Sequence, residues 1–245
     1  MTFSYSQVWD DTLRLLRENA RLLAAIAGVF LFLPALLVAQ LLPVPETGDP
    51  NRAFQALVEY YSQAWPWLFL QMLVNLVGSA AMLRLVLVRG TSVSAALAFG
   101  LMLLPFYLLL SVLVGLMVLA GLILLIVPGL YLVGRLVPAA PAMVAENRRD
   151  PIAAIRRSFE ITSGRGWAVF GLIFLVGLVG AIVTGVGAML FGIAFMLAAG
   201  QELGRLLTAI VASALNAAFA TLFVTLYAAI YRALTSGQSV AATFD

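Results

Sequence analysis

Cysteine, histidine and lysine are all missing from this sequence of 245 residues. Without cysteine the chain has no disulfides, no thiolate metal sites and no cysteine nucleophile. The missing histidine and lysine remove the commonest general base and any serine–lysine catalytic pair. All eleven acidic residues fall outside the long apolar runs, so no pair of carboxylates stands inside them. We therefore expect no enzymatic activity, no bound metal and no cofactor.

Charge is also scarce, because charged residues make up 10% of the chain and hydrophobic residues 63%. A soluble domain carries roughly a quarter of its residues as charges. The mean hydropathy of +1.07 and the long apolar runs predict a polytopic membrane protein instead. No cleavage site follows the first apolar run, so we expect that run to remain as a span. The surplus of three positive charges indicates no nucleic-acid partner.

Six apolar runs approach the roughly 20 residues that cross a bilayer core. They cover residues 22–42, 65–87, 99–120, 122–144, 167–187 and 206–230. Amphipathic patterns predict four interfacial helices, at 5–20, 53–63, 91–98 and 151–163. The predicted fold is an all-α bundle of six transmembrane helices, in a single transmembrane domain over residues 1–245. Because several interfacial helices precede pairs of spans, we infer a loose repeat of surface helix plus hairpin.

The segment 166–200 leaves the number of spans open, because it would measure about 52 Å as one straight helix. Two spans with a turn need about 40 residues or more. We predict one span that breaks near Gly185-Val186-Gly187, and a total of seven spans is the alternative.

The arginines predict the orientation of the chain. Eleven of the fourteen fall in segments on the side of the N-terminus, two fall on the other side, and Arg135 lies inside a span. This bias places both termini in the cytoplasm. A basic set made only of arginine is typical of GC-rich bacterial genomes, so the expected location is the bacterial inner membrane.

Helix caps are readable at two of the interfacial helices. Ser4 and Gln7 have capping-box spacing before the first. Asp150 suits the N-cap of the helix at 151–163, and Pro151 suits its first position. Gly164 suits a left-handed turn at the end of that helix.

The segment 127–171 reads VPGLYLVGRLVPAAPAMVAENRRDPIAAIRRSFEITSGRGWAVFG and carries the most distinctive pattern in the chain. It resembles the signature of the membrane domain joined to some bacterial glycerophosphodiester phosphodiesterases, and it is similar to YciC-like inner-membrane proteins. The matching positions are Pro128, Gly129, Tyr131, Arg135, Pro138, Pro141, Glu146, Asn147, Ala153, Arg156, Arg157, Ser158 and Gly164. The resemblance implies a six-span inner-membrane protein. It does not imply phosphodiesterase activity, which belongs to a separate barrel domain that needs histidine.

Pro128, Gly129, Pro138 and Pro141 predict a fourth span that is broken in lipid, where a freed carbonyl needs a new partner. The simpler interpretation is a kinked helix packed in the bundle, with Arg135 reaching toward the inner surface. The alternative is a polar break at which Arg135 meets a lipid phosphate or another anion. Four further arginines, Arg148, Arg149, Arg156 and Arg157, are candidates for anionic headgroups on the cytoplasmic side, although their role in topology is the simpler explanation.

Gln71, Asn75, Ser213 and Asn216 are polar residues inside predicted spans. Such residues line a hydrated path in some proteins, but contacts between helices are the commoner role and the one we favour. Membrane lipids are the expected partners, and the sequence leaves a homo-oligomer or a membrane-protein partner open. The functional hypothesis is a non-enzymatic protein that accommodates or moves a lipid or small anionic solute. The alternative is a scaffold or regulatory module of the cell envelope with no transported substrate.

Overall fold

The computed structural model describes the backbone of residues 3–43 and 50–241, and the side chains of 3–43 and 52–236. This part of the chain is all-helical and contains no strand. Helix α1 (Tyr5–Glu18) begins at Ser4, whose hydroxyl accepts a hydrogen bond from the Gln7 backbone N–H at 3.5 Å. This contact confirms the N-cap half of the predicted capping box. After Asn19 come α2 (Ala20–Ala27), a π-helical turn (Gly28–Phe32) and α3 (Leu33–Leu41). The π turn precedes Pro34, which lacks the N–H that a regular helix would need there.

Two of the predicted interfacial helices are the first turns of longer helices. Helix α4 (Pro50–Leu87) joins the predicted elements at 53–63 and 65–87 without interruption, and it contains Pro66. Helix α5 (Val93–Leu124) likewise joins 91–98 to 99–120. The prediction of separate elements was wrong because no residue between them caps a helix end. The actual boundary is Gly90, whose φ of +77° ends α4, followed by Ser92, which caps α5.

Three shorter helices follow, namely α6 (Ile126–Leu136), α7 (Ala139–Ala145) and α8 (Pro151–Ile161). The caps predicted for α8 are confirmed. An Asp150 carboxylate oxygen accepts a hydrogen bond from the Ile152 N–H at 2.9 Å, and Pro151 is the first helical residue. Gly164 has a φ of +71°, which glycine adopts without steric cost.

The last helix, α9 (Gly166–Ala241), changes direction once. It stays helical through Gly185 and Gly187, so the break predicted there is wrong. Gly200 interrupts it instead, with φ 76° and ψ −180°. A glycine inside an apolar helix costs only about 1 kcal/mol, so Gly185 and Gly187 do not end the helix, whereas Gly200 opens the polar stretch Gly200-Gln201-Glu202.

We call residues 166–199 the first arm of α9 and 201–241 its second arm. The arms pack against each other. A Cβ at Gly180 would lie 1.6 Å from the Phe219 ring, and a Cβ at Gly204 would lie 2.8 Å from the Met196 backbone. Small residues on both arms therefore allow the two arms to approach each other closely.

Five segments are long and apolar enough to cross a membrane: Ala20–Leu41, Arg52–Leu87, Val93–Leu124, Ile126–Ala145 and Gly166–Ser236. Large apolar side chains are exposed along most of the first arm of α9 and from Leu122 to Val127. Fully buried side chains such as Val8, Leu83, Met143 and Ile230 form a core where α1, α4, α7 and the second arm of α9 meet. An apolar exterior of this kind is compatible with a membrane protein.

Candidate functional site

The three prolines of the predicted broken span mostly begin helices. Pro128 is the third residue of α6 and Pro141 the third residue of α7. The N–H groups of a first turn have no partner within the helix, so a proline there removes no hydrogen bond. Pro138 is the N-cap of α7. The span therefore has a single interruption, at Val137-Pro138, and the prediction of repeated breaks was wrong.

Arg135 lies two residues before this interruption, and its guanidinium group already has hydrogen-bond partners. One terminal nitrogen donates to the Tyr131 hydroxyl at 3.1 Å, and the other donates to the Phe159 carbonyl at 2.7 Å. The guanidinium carbon lies 4.9 Å from the centre of the Phe159 ring. Among the described residues no carboxylate pairs with Arg135, and its buried Nε has no hydrogen-bond partner. Arg135 thus ties α8 to α6 through neutral groups.

The backbone carbonyl of Arg135 is satisfied from the same helix. The Ser158 hydroxyl donates to this carbonyl at 2.6 Å, and the Thr162 hydroxyl lies 3.5 Å from it. Both side chains are fully buried. A carbonyl released by a helix end in an apolar setting needs such a replacement. The sequence pattern included Ser158 among the signature positions. It did not include Thr162, because the contact of Thr162 with α6 arises only when the helices pack.

Asn147 ends α7 in the left-handed conformation, with a φ of +51°. The Arg148 N–H bonds to the Met143 carbonyl at 3.0 Å, which is the six-residue closure of a Schellman motif. Asparagine is one of the few residues other than glycine that adopt this conformation readily. The Glu146-Asn147 pair of the signature is therefore a helix end, and it aims the Glu146 side chain across the fold.

Glu146 is the centre of the main polar cluster. Its Oε1 accepts from the Arg157 Nε at 3.0 Å and from the Tyr231 hydroxyl at 3.0 Å. Its Oε2 accepts from the Arg148 Nε at 2.5 Å. Burial acts to raise the pKa of the Glu146 carboxyl, but the hydrogen bonds from Arg157, Arg148 and Tyr231 prevail and lower it below 4.5. The carboxylate therefore stays ionised at neutral pH and joins α7, α8 and α9.

A further arginine closes the end of α7. Arg84 of α4 donates to the Val144 carbonyl at 3.2 Å, and its guanidinium lies 4.4 Å from the Phe99 ring centre. The sequence indicated Arg84 only as a marker of topology, and Tyr231 was not singled out at all. Both are tied to α7 by contacts between residues that lie at least 60 positions apart.

Close backbone contacts leave no room beside Arg135. A Cβ at Gly134 would lie 2.1 Å from the Gly166 carbonyl oxygen, and a Cβ at Gly166 would lie 2.8 Å from the Arg135 side chain. Gly129, singled out with Pro128 as part of the break, packs against Gly121 of α5 in the same way. These glycines permit helix contact rather than flexibility.

The remaining candidate residues lie at α8, with Arg149 just before the N-cap Asp150 and Arg156 on the helix itself. We call Arg149, Ile152 and Arg156 the outward face of α8. Arg149 and Arg156 are exposed, and neither forms a hydrogen bond or ion pair within the described residues. Ile152 between them is 62% exposed. Two basic side chains and one apolar side chain therefore point away from the bundle. Arg148 and Arg157, by contrast, are held by Glu146.

The four polar residues of the predicted spans are divided between two helices. Gln71 and Asn75 lie on α4, whereas Ser213 and Asn216 lie on the second arm of α9. No hydrogen bond joins any of the four to another described residue, and the Asn75 Oδ1 is buried without a partner. Ser213 is buried and Asn216 is exposed.

Comparison with family models, curated proteins and solved structures found no match to this chain. The resemblance of the segment 127–171 to a family of bacterial membrane domains therefore stays a prediction that depends on the quoted residues alone.

Proposed function

We propose that the protein is a non-enzymatic inner-membrane protein of bacteria that holds anionic lipid headgroups against the outward face of α8. The observation that carries the proposal is the way α8 is fastened. Arg135, Ser158 and Glu146 use their polar groups to attach its inner side, while Arg149 and Arg156 are left with exposed, uncompensated charge. A helix so fixed presents the Arg156 side chain away from the bundle, with the exposed Arg149 just before its N-cap.

The chemistry of this face matches the boundary between headgroups and acyl chains. An apolar residue such as Ile152 inserts below the headgroups, and arginines beside it attract anionic phosphates. Each such arginine contributes about 1 kcal/mol near an anionic membrane surface. Arg148 adds a third charge close by, although Glu146 compensates for part of it.

We propose six crossings, with the two arms of α9 as the fifth and sixth. The first arm would measure about 51 Å at 1.5 Å per residue, which is enough to cross a bilayer when tilted. The second arm is longer still. An even number of crossings puts both termini on one side, and the arginine bias makes that side the cytoplasm.

Contacts at one end of the bundle support this orientation. Asp11 of α1 pairs with Arg232 of the second arm at 3.6 Å, and Tyr231 beside it bonds to Glu146. Arg84 at the end of α4 reaches the end of α7. The segments that are rich in arginine are thus neighbours, as segments on one side of a membrane should be.

Holding a lipid fits the surroundings of Arg135 better than moving one. The terminal guanidinium nitrogens have partners within the fold, and Gly134 packs closely against Gly166 beside them. The same close packing favours the alternative function, a membrane scaffold with no transported substrate. Retention of lipid and flux of solute distinguish these functions.

The test is native mass spectrometry of the full chain in detergent, incubated with equal amounts of phosphatidylglycerol and phosphatidylcholine. We expect preferential retention of phosphatidylglycerol. The double substitution Arg149→Gln and Arg156→Gln should weaken that preference about 30-fold, from about 2 kcal/mol for two arginines. Arg205→Gln, which removes an exposed arginine near the Gly200 bend, is the matched control and should have no effect.

Equal retention by the double variant and the wild type would overturn the proposal. A flux assay in liposomes adds a second criterion. If the wild-type protein accelerates the movement of a lipid or a small anion, its function is transport and not lipid binding. If it shows neither flux nor a lipid preference, the scaffold is favoured.

A further inference from the structure

A basic cavity lies between α1, the turn that joins α4 to α5, and the second arm of α9. It has a volume of about 490 Å³, within the range of small-molecule sites. Arg14, Arg89 and Arg232 line it, together with Glu18. Its other wall is apolar and includes Leu22 and Val86. None of these residues belongs to the α8 face, so the cavity is a separate feature.

Asp11 positions two of the three arginines from outside the cavity. One carboxylate oxygen bonds to Arg14, and the other lies 3.6 Å from the Arg232 Nε. The Arg14 Nε is also 4.0 Å from Glu18. The carboxylate of Asp11 therefore brings together two guanidinium groups that come from opposite ends of the chain.

Arg89 supplies the charge that the fold leaves without compensation. It is exposed, and it forms no hydrogen bond or ion pair with any described residue. The turn that carries it is nonetheless well defined, because Gly90 adopts a φ of +77° and the Thr91 hydroxyl donates to the Val88 carbonyl at 2.8 Å. The turn thus places a third guanidinium at the cavity wall opposite α1.

We propose that this cavity binds one phosphate group, either of a lipid headgroup or of a free phosphate anion. Three arginines against Glu18 and Asp11 leave a net charge of +1 at the site, which favours an anion. Guanidinium groups bind phosphate oxygens with charge-assisted hydrogen bonds. Leu22 and Val86 provide an apolar wall on which the glycerol end of a lipid would lie. This site goes beyond the α8 face, because it binds a single phosphate in a cavity that other elements form.

The experiment measures binding to the full chain in detergent by isothermal titration calorimetry. All proteins carry Arg149→Gln and Arg156→Gln, which remove the basic residues of the α8 face. Any binding that is measured is then due to the cavity, and failure of one proposal is distinguishable from failure of the other. The probes are a short-chain phosphatidylglycerol, inorganic phosphate and a short-chain phosphatidylcholine. Arg89→Gln removes the uncompensated charge without disturbing an observed contact, Arg89→Glu reverses it, and Arg205→Gln is the matched control.

We expect saturable binding of one phosphatidylglycerol or one phosphate. Arg89→Gln should weaken it about tenfold, as for loss of one charged hydrogen bond. Arg89→Glu should abolish it, and Arg205→Gln should leave it unchanged. Binding of phosphatidylglycerol alone assigns the site to a lipid headgroup, and equal binding of inorganic phosphate assigns it to the free anion. Three results would overturn the proposal. They are no binding of either probe, the same affinity for Arg89→Gln as for the parent protein, and a loss of affinity with Arg205→Gln as large as that with Arg89→Gln.

Discussion

Replacement of Glu146 by glutamine should loosen the junction of α7, α8 and α9. The substitution preserves size but removes the charge that three donors share. Arg148 is 43% exposed in its side chain, so its ion pair contributes little, from zero to about 1 kcal/mol. Arg157 is 27% exposed and Tyr231 9%, so their bonds account for most of the loss. We expect a destabilisation of about 2 kcal/mol, because hydrogen bonds to charged groups contribute about 1.5–3 kcal/mol and solvent screens part of this.

The dependence on pH provides an internal check. The pKa of the Glu146 carboxyl is lower in the folded protein than its ordinary value of 4.5. The stabilisation is therefore complete above that ordinary value and is lost as the pH falls through the lower, folded value. The wild-type protein should lose this contribution in acid, whereas the glutamine variant has none to lose. The difference in stability between the two proteins should shrink below about pH 4.5.

Thermal unfolding in detergent, followed by circular dichroism at pH 7 and at acidic pH, measures both effects. At pH 7 the midpoint of Glu146→Gln should lie about 4–8 °C below that of the wild type, from about 2–4 °C for each kcal/mol. Glu160→Gln is the matched control, because Glu160 is 53% exposed and lies 3.4 Å from the same Arg157. Equal midpoints for Glu146→Gln and Glu160→Gln, or a gap that does not close in acid, would refute the reasoning.

Two further substitutions test the junction of α6 with its neighbours, with the same thermal measurement. Ser158→Ala removes the 2.6 Å hydrogen bond to the Arg135 carbonyl and should destabilise the protein by about 1–2 kcal/mol, because a buried acceptor loses its best partner. Gly134→Ala places a Cβ 2.1 Å from the Gly166 carbonyl oxygen, so backbone must move. We expect a loss of about 1–3 kcal/mol, as for other overpacked sites.

Each of these substitutions has a control variant that makes the same chemical change at a position without the contact being tested. Ser163→Ala removes an exposed hydroxyl two residues beyond α8 and should be neutral. Gly185→Ala adds a methyl group where no atom beyond the neighbouring helix backbone lies within 4 Å, and it should be neutral or slightly stabilising. If Gly134→Ala behaved like Gly185→Ala, the close approach of α6 and α9 would not be a feature of the protein in solution.

Short-range sequence patterns predicted the helix caps and turns, because these features depend on residues that are close in sequence. The caps at Ser4 and Asp150 and the turn at Gly164 depend on side chains and φ angles within a few residues. The same reasoning failed at α4, where the sequence between 63 and 65 contains no cap. It also assigned three prolines to breaks, although two of them occupy first turns in which a missing N–H has no consequence.

Composition and periodicity alone determined that this chain is all-helical with apolar segments of membrane-spanning length, because hydrophobicity and helix period are properties of consecutive residues. Tertiary structure alone decided what the polar residues do. Arg135 faces Phe159, and Glu146 meets Tyr231 across 85 positions of chain. Such contacts depend on how rigid helices pack. The packing also brings Gly134 and Gly166 into close contact. It leaves Arg89, Arg149 and Arg156 exposed and without a hydrogen-bond or ion-pair partner among the described residues.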